Sequence, residues 1–376
     1  MVAGAMRIFM SADTVGGVWN YTLELARGLI EAGDEVVVAA MGDRLSADQR
    51  QAVAAIPGLT VHDSALRLEW MASPWTDLER AAGWLLALAD TVEPDVVHLN
   101  HYAHGALDWP APSLVVAHSC VYSWHQAVRG CLPESRWNRY REVVRRGLRG
   151  ADLVAAPTMA MLVDAARYYG PFRSARVIHN GRRPEDFRPR AKQPRILSAG
   201  RLWDDAKNIR LLTAVAPSLP YPVLLAGEQR HPDGGEPALT GVSLLGRLDQ
   251  AGLARQLGEA AIYCLPARYE PFGLSVLEAA LAGCALVLGD IPSLRELWDG
   301  AALFVEPWNE EGLRHTLTKL CRDDQLRHAY ADRARHRARR YSAEAMIGGY
   351  RGTYRQLKEE RSAVRREPQG DRPCAS

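Results

Sequence analysis

Short apolar runs recur along the chain and alternate with helical stretches. Runs of this kind are typical of parallel strands buried on both faces. Arg7-Ile8-Phe9-Met10-Ser11 predicts a first strand, followed by a turn carrying Gly16-Gly17 and a helix from Trp19 to Ala32 that stops at Gly33. Glu35–Ala40, Asp95–Leu99, Ser113–His118, Ala151–Ala156 and Arg176–His179 predict further strands. Residues 181–194 then turn polar and rich in Arg and Pro, as a linker does. The alternation restarts with strands over Arg195–Gly200, Pro222–Gly227, Val242–Leu245, Ala260–Pro266 and Ala285–Leu288, and residues from Glu310 onward read as helix. This pattern predicts an α/β protein of two Rossmann-like, doubly wound domains, over residues 1–190 and 191–345. A helix over 346–365 follows, and 366–376 reads as a disordered tail.

Composition narrows the function. With 47% hydrophobic residues the chain can fill two cores, and a net charge of +2 gives no global pull toward nucleic acid. Its six cysteines are scattered, without a Cys-x-x-Cys pair, which speaks against a zinc site or a secreted disulfide framework. No apolar run approaches the roughly 18 residues of a membrane span. The N-terminal run is broken by Asp13 and Gly16-Gly17 and reads as a strand rather than a signal peptide. A soluble, reduced, cytoplasmic protein is expected.

The chemistry concentrates in Glu270-Pro271-Phe272-Gly273-Leu274-Ser275-Val276-Leu277-Glu278. Two carboxylates bracket a Gly-containing turn that opens an apolar helix just after a buried strand. Most helical Glu side chains are solvated, but these stand among apolar neighbours and need partners. A helix N-terminus suits phosphate, and carboxylates suit sugar hydroxyls, so both acids can face one nucleotide-sugar lying over that end. Arg201 and Lys207 flank the loop after Ser198-Ala199-Gly200, where two cations can clamp a diphosphate or simply stand at the surface. Gly16-Gly17 permits close backbone approach but is not a dinucleotide fingerprint. His98, His101 and His104 recur every three residues. On a helix that step spreads side chains past one face, and the stretch begins as a strand, so it reads as polar pocket lining with no metal. His118 ends a strand and projects toward the same cleft.

Together these residues resemble the family 4 retaining glycosyltransferases of GT-B fold. Gly200-Arg201 with Lys207, Tyr269–Leu274 with Glu278, Gly289–Glu296, Ile178–Gly181 and Phe187–Pro189 carry the likeness. The resemblance implies that Arg201 and Lys207 bind a donor diphosphate. It implies that Glu270 holds donor-sugar hydroxyls and Glu278 the ribose. Phe272, Gly273, Leu274 and Ser275 would present backbone amides, with Gly16 and Gly17 approaching the donor phosphate and His118 beside the reaction centre. Arg247 and Leu248 fall at the nucleobase loop. The first domain would be the acceptor side, lined by Asn20, Tyr21, His98, Asn100, His101 and Trp124, unless these residues serve inter-domain packing. His118-Ser119 and His98-Leu99-Asn100 depart from the family's usual His-Asp and His-x-His, which leaves the acceptor open.

The implied activity is transfer of a hexose from a UDP- or GDP-sugar to a hydroxyl acceptor, with retention and without a metal or other cofactor. Glycan, glycolipid or small-molecule glycoside biosynthesis would be served. The rivals are a catalytically silent sugar-nucleotide-binding scaffold and a GT-B nucleotide-sugar epimerase. The Arg-rich stretch from Arg333 to Arg366 is either a weak membrane-surface contact or a solvated helix face.

Overall fold

A computed structural model describes residues 4–230 and 239–366. The first sheet holds β1 (Arg7–Asp13), β2 (Glu35–Met41), β3 (Thr60–Asp63), β4 (Val96–Leu99), β5 (Ser113–Val116), β6 (Leu153–Ala156) and β7 (Ala175–Val177). Their spatial order is β3-β2-β1-β4-β5-β6-β7, and every pairing is parallel. The second sheet holds β8 (Gln193–Ala199), β9 (Val223–Ala226), β10 (Ser243–Gly246), β11 (Ala260–Leu265), β12 (Ala285–Gly289) and β13 (Leu303–Val305), in the order β10-β9-β8-β11-β12-β13. It too is parallel throughout.

Helices α1 (Gly17–Glu31), α2 (Ala47–Ala54), α3 (Trp75–Val92), α4 (Val121–Arg129), α5 (Asn138–Gly150) and α6 (Met159–Tyr169) cover the first sheet. The second has α7 (Ile209–Val215), α8 (Gln250–Glu259), α9 (Leu274–Leu281), α10 (Pro292–Trp298), α11 (Glu310–Arg322) and α12 (Asp324–Ala338). The stretch after Glu310 is three helices, closing with α13 (Ala343–Arg366). α13 packs on the first sheet: Met346, Tyr350, Tyr354 and Leu357 share a core with Ile8, Met10, Leu25 and Val96. The expected tail lies, beyond Arg366, outside the described residues.

Alternate strand residues feed opposite cores, as a two-residue period requires. Phe9 and Val97 point to one side of the first sheet, Ile8, Met10 and Val96 to the other. β3 and β13 are edge strands that the pattern does not predict: along β3 no residue is fully buried, and β13 is apolar but only three residues long. α1 begins two residues before the expected start, because Gly16, at φ +83°, supplies a left-handed cap that other residues resist. Within the Arg-rich stretch, Arg351 pairs with Asp34 at 2.8 Å, while Arg337 and Arg361 donate to backbone carbonyls. Among the described residues no helix is long and apolar enough to cross a membrane.

In open parallel sheets, ligands lie outside the carboxyl ends of strands where the order reverses. Those points are β1/β4 in one sheet and β8/β11 in the other.

Candidate active site

The carboxyl end of β8 runs into the loop 200–208. Asn208, in the left-handed region at φ +55°, donates from Nδ2 to the carbonyls of Pro266 (2.9 Å) and Pro307 (2.7 Å). The Arg268 N–H donates to the Ala206 carbonyl at 2.8 Å. This loop is therefore sewn to the end of β11, which carries Glu270. Lys207 forms an ion pair with the Glu270 carboxylate, both side chains being largely buried. Arg201 pairs with Asp204 at 2.8 Å and stays half-exposed. Burial would raise the Asp204 carboxyl, but Arg201 and then Lys207, aided by the Ala206 N–H and the Trp124 indole, hold it below the usual carboxylate range. Both cations at this strand end are thus engaged by internal acids.

Gly273, at φ +85°, turns the chain into α9, whose first turn has no side-chain cap, so its leading amides are left open. Leu274 packs against cores of both halves, Phe272 is buried against Tyr341, and the Ser275 hydroxyl is bonded to Tyr263 at 2.7 Å. Across the cleft, a Cβ built on Gly16 would lie 3.4 Å from Nη1 of Arg201, and one on Gly17 would lie 4.0 Å from Leu274. The glycine turn therefore abuts the cation loop and the start of α9. Asp13 shapes that turn by accepting the Val15 N–H at 2.6 Å. Burial drives its carboxyl up to about 7, with Glu69 adding to the rise and the Val15 N–H and Arg201 opposing it.

Glu278 does not share Glu270's partner. It accepts from Nε of Arg182 at 2.8 Å, and burial keeps its carboxyl above the ordinary range despite that guanidinium. The two acids are held by different cations, Glu270 by Lys207 and Glu278 by Arg182.

The first sheet contributes His118, just beyond β5. The Asn100 amide donates from Nδ2 to the Ser11 carbonyl at 2.8 Å, so its Oδ1 is an acceptor. His118 Nε2 lies 2.8 Å from that oxygen and carries the proton, which leaves Nδ1 with its lone pair. Burial, then the neighbouring His98, pulls the ring down to about 3, so it is neutral. The expected lining of Tyr21, His98, Asn100 and His101 needs correction: all four are buried. His98 sits 2.7 Å from the Tyr354 hydroxyl of α13, and His101 sits 2.8 Å from the Ser11 hydroxyl. Asn100, Tyr21 and His98 pack against His118, while Nε2 of His101 is buried without a hydrogen-bond partner. Asn20 is exposed on α1, Arg247 is exposed after β10, and Leu248 packs on the second core. Among the described residues no His, Cys, Asp or Glu cluster gathers as a metal site.

Trp124 bridges the halves, donating from Nε1 to Asp204 at 3.1 Å, and Arg129 pairs with Asp205 at 2.8 Å. Tyr269, adjacent to Glu270, inserts among first-half residues with its hydroxyl 2.7 Å from Ser123. Glu296 of α10 caps α6, accepting from Met159 at 2.8 Å and Ala160 at 2.9 Å.

Sequence reasoning missed Asp204, Tyr269, Arg182 and Glu24. One signal was available for Glu24, which falls in phase with the buried Tyr21, Leu25 and Gly28 on α1. Arg182 was hidden inside a stretch whose composition reads as linker.

Two parallel sheets with their switch points turned toward a shared cleft define the GT-B class of glycosyltransferases. The chain superposes on sucrose-phosphate synthase from Thermosynechococcus elongatus with a TM-score of 0.78 at 19% identity, covering 94% of this chain and 99% of that one. It superposes on Anabaena HepE, solved in complex with UDP and glucose, with a TM-score of 0.74 at 14% identity, covering 94% and 100%. Within that class the chain belongs to the family 4 glycosyltransferases: residues 15–186 match Glycosyltransferase Family 4 and residues 193–323 match Glycosyl transferases group 1. It is also 27% identical to the phosphatidyl-myo-inositol mannosyltransferase of Mycolicibacterium smegmatis, over 89% of this chain and 90% of that protein.

Proposed function

We propose that this glycosyltransferase moves a hexose from a UDP- or GDP-sugar to a hydroxyl acceptor, with retention at the anomeric carbon and without a metal. The observation that carries the reading is that the Gly16-Gly17 turn after β1 meets Arg201, Lys207 and the start of α9 from the other half, where the two switch points face each other. Two cations, a helix N-terminus and a glycine turn make a diphosphate cradle. A diphosphate would take Lys207 from Glu270 and Arg201 from Asp204. Glu270, released beside the sugar, could then accept from its hydroxyls. The UDP and glucose held by the Anabaena structure and the mannosyl transfer named for the mycobacterial relative support a nucleotide-hexose donor.

The protein's contribution is electrostatic. Negative charge grows on the departing diphosphate, and preorganised cations there stabilise the transition state more than the ground state. In front-side attack the acceptor proton passes to that phosphate oxygen. Neutral His118, with Nδ1 unprotonated, can accept a hydrogen bond from the donor sugar without placing a second positive charge at the reacting carbon. Closure of the two halves would exclude water.

The test is calorimetric titration with UDP, GDP, ADP and dTDP, with and without EDTA, then product analysis with the matching sugar donor. One nucleotide bound independently of EDTA, and an α-configured product from an α-configured donor, is expected. Binding that needs a divalent cation, or an inverted product, would overturn the proposal.

A further inference from the structure

The chain passes between the sheets twice, outward over residues 178–192 and back over 341–343, and the two passages are bonded together at Arg182. Its N–H donates to the Tyr341 carbonyl at 3.1 Å, and its own carbonyl accepts from Ala343 at 3.0 Å. A Cβ on Gly181 would stand 2.1 Å from the Ser342 carbonyl, so the passages touch without a side chain between them. From this fixed backbone the Arg182 side chain turns inward and is 5% exposed. Nε donates to Glu278 of α9 at 2.8 Å and Nη1 to Glu24 of α1 at 3.4 Å. Glu24's other oxygen accepts from Nε of Arg183 at 2.9 Å, and Arg183 reaches the exposed Glu31 at 2.7 Å.

One guanidinium thus joins the two helices whose first residues make the diphosphate cradle. Glu24 lies two turns along α1, about 12 Å from the Gly16-Gly17 turn. Glu278 lies one turn along α9 from its open amides. Stability is a poor reason for this triad, because packed apolar residues usually hold a buried site as well as ions do. A planar fork on two carboxylates fixes orientation instead.

We infer that Arg182 is the positioning residue of the donor site: it orients Glu278 and ties it to Glu24, coupling nucleotide binding at α9 to the seating of the glycine turn on α1. The inference rests on the nucleotide-sugar reading above. A donor that draws on Glu278 alters the grip of Arg182 on Glu24, and through it the placement of α1. By linkage, anything that loosens Glu24 weakens nucleotide binding, although Glu24 does not reach the cradle.

The experiment measures affinity for the nucleoside diphosphate that the wild type binds, in Glu24→Gln, Arg182→Lys and Glu31→Gln. Folding is verified for each by far-UV circular dichroism and cooperative melting. Glu24→Gln and Arg182→Lys are expected to weaken binding about fivefold or more, the lower range of ordinary coupling. Glu31→Gln, at the solvated end of the chain of charges, is expected to bind as the wild type does. Adding Glu24→Gln to Glu278→Gln is expected to cost nothing further, since the coupled partner is already gone. A readout free of mutations is hydrogen exchange at the Arg182 and Ala343 amides, expected to slow when nucleotide binds the wild type. Wild-type affinity in folded Glu24→Gln, or unchanged exchange at those amides, overturns the coupling. A wild type that binds no nucleotide instead removes the donor-site reading and takes the inference with it.

Discussion

Replacing Lys207 with Met separates what this lysine does for the fold from what it does for the reaction. Lys207 and Glu270 are paired, with side chains 15% and 11% exposed. Removing one member of a buried pair costs about 3–5 kcal/mol, because the survivor is left without a counter-charge. Partial exposure here places the expected loss lower, at about 2–3 kcal/mol. Lys207→Met and Glu270→Met should each lose that much. The double variant should return to within about 1 kcal/mol of the wild type, since apolar replacement of a whole buried pair is close to neutral. Catalysis should not return with stability. Loss of a cation facing the leaving diphosphate is worth roughly 10²–10³ in turnover. Saturation with nucleotide at a hundredfold its Kd adds about 2.7 kcal/mol to a wild type that binds it, and that increment should vanish in Lys207→Met. Urea unfolding followed by circular dichroism gives the stabilities, and release of nucleoside diphosphate gives the rates. A double variant destabilised by the sum of the singles would refute the pairing argument. Near-normal turnover in Lys207→Met would refute the leaving-group role.

Two further outcomes follow from the same geometry. Asp13 is raised to about 7 in the fold from an ordinary 3.8, so the folded state holds this proton more tightly, and stability falls as pH rises through that window. Asp13→Asn keeps an oxygen for the Val15 N–H and cannot ionise, so its melting temperature should gain on the wild type from about pH 5 to about pH 8; parallel melting curves across that range would contradict it. Tyr269→Phe removes the hydroxyl that meets Ser123 at 2.7 Å and Cys120 N–H at 3.3 Å. It should cost about 1 kcal/mol and lower turnover several-fold through the adjacent Glu270; unchanged stability and rate would show that Tyr269 does not brace the site.

The fold was readable where burial leaves its mark on both faces of a strand. Asp95–Leu99, Ser113–His118 and Ala260–Pro266 are runs that hardly another structure would use. Thr60–Asp63 escaped because an edge strand needs fewer apolar residues. At the site, Arg201, Lys207 and Glu270 stood out because a strand, a loop and a helix N-terminus follow one another locally. Their pairings did not, since Glu270 lies 63 residues from its lysine and Glu278 lies 96 from its arginine. His98, Asn100 and His101 read as acceptor-side lining because a polar residue near a strand end looks alike whether it meets solvent or an interior partner. For His98 the deciding partner is Tyr354, 256 residues away. Pattern along the chain reports burial, while partnership across it is a property of the completed fold.

The position of α13 bears on how the protein is made. A chain leaving the ribosome delivers the seven strands of its first sheet early, and halves of this kind ordinarily fold in order of emergence. Here the surface over α1 and β4 is sealed by Met346, Tyr350, Tyr354 and Leu357, with Lys358 reaching Asp95 at 2.7 Å. That seal is synthesised only after the whole second sheet. The newborn first half must therefore wait with an apolar flank uncovered. A ribosome stalled before residue 343 should hold a first half open to proteases and chaperones, and release of the last helix should close it in a single step.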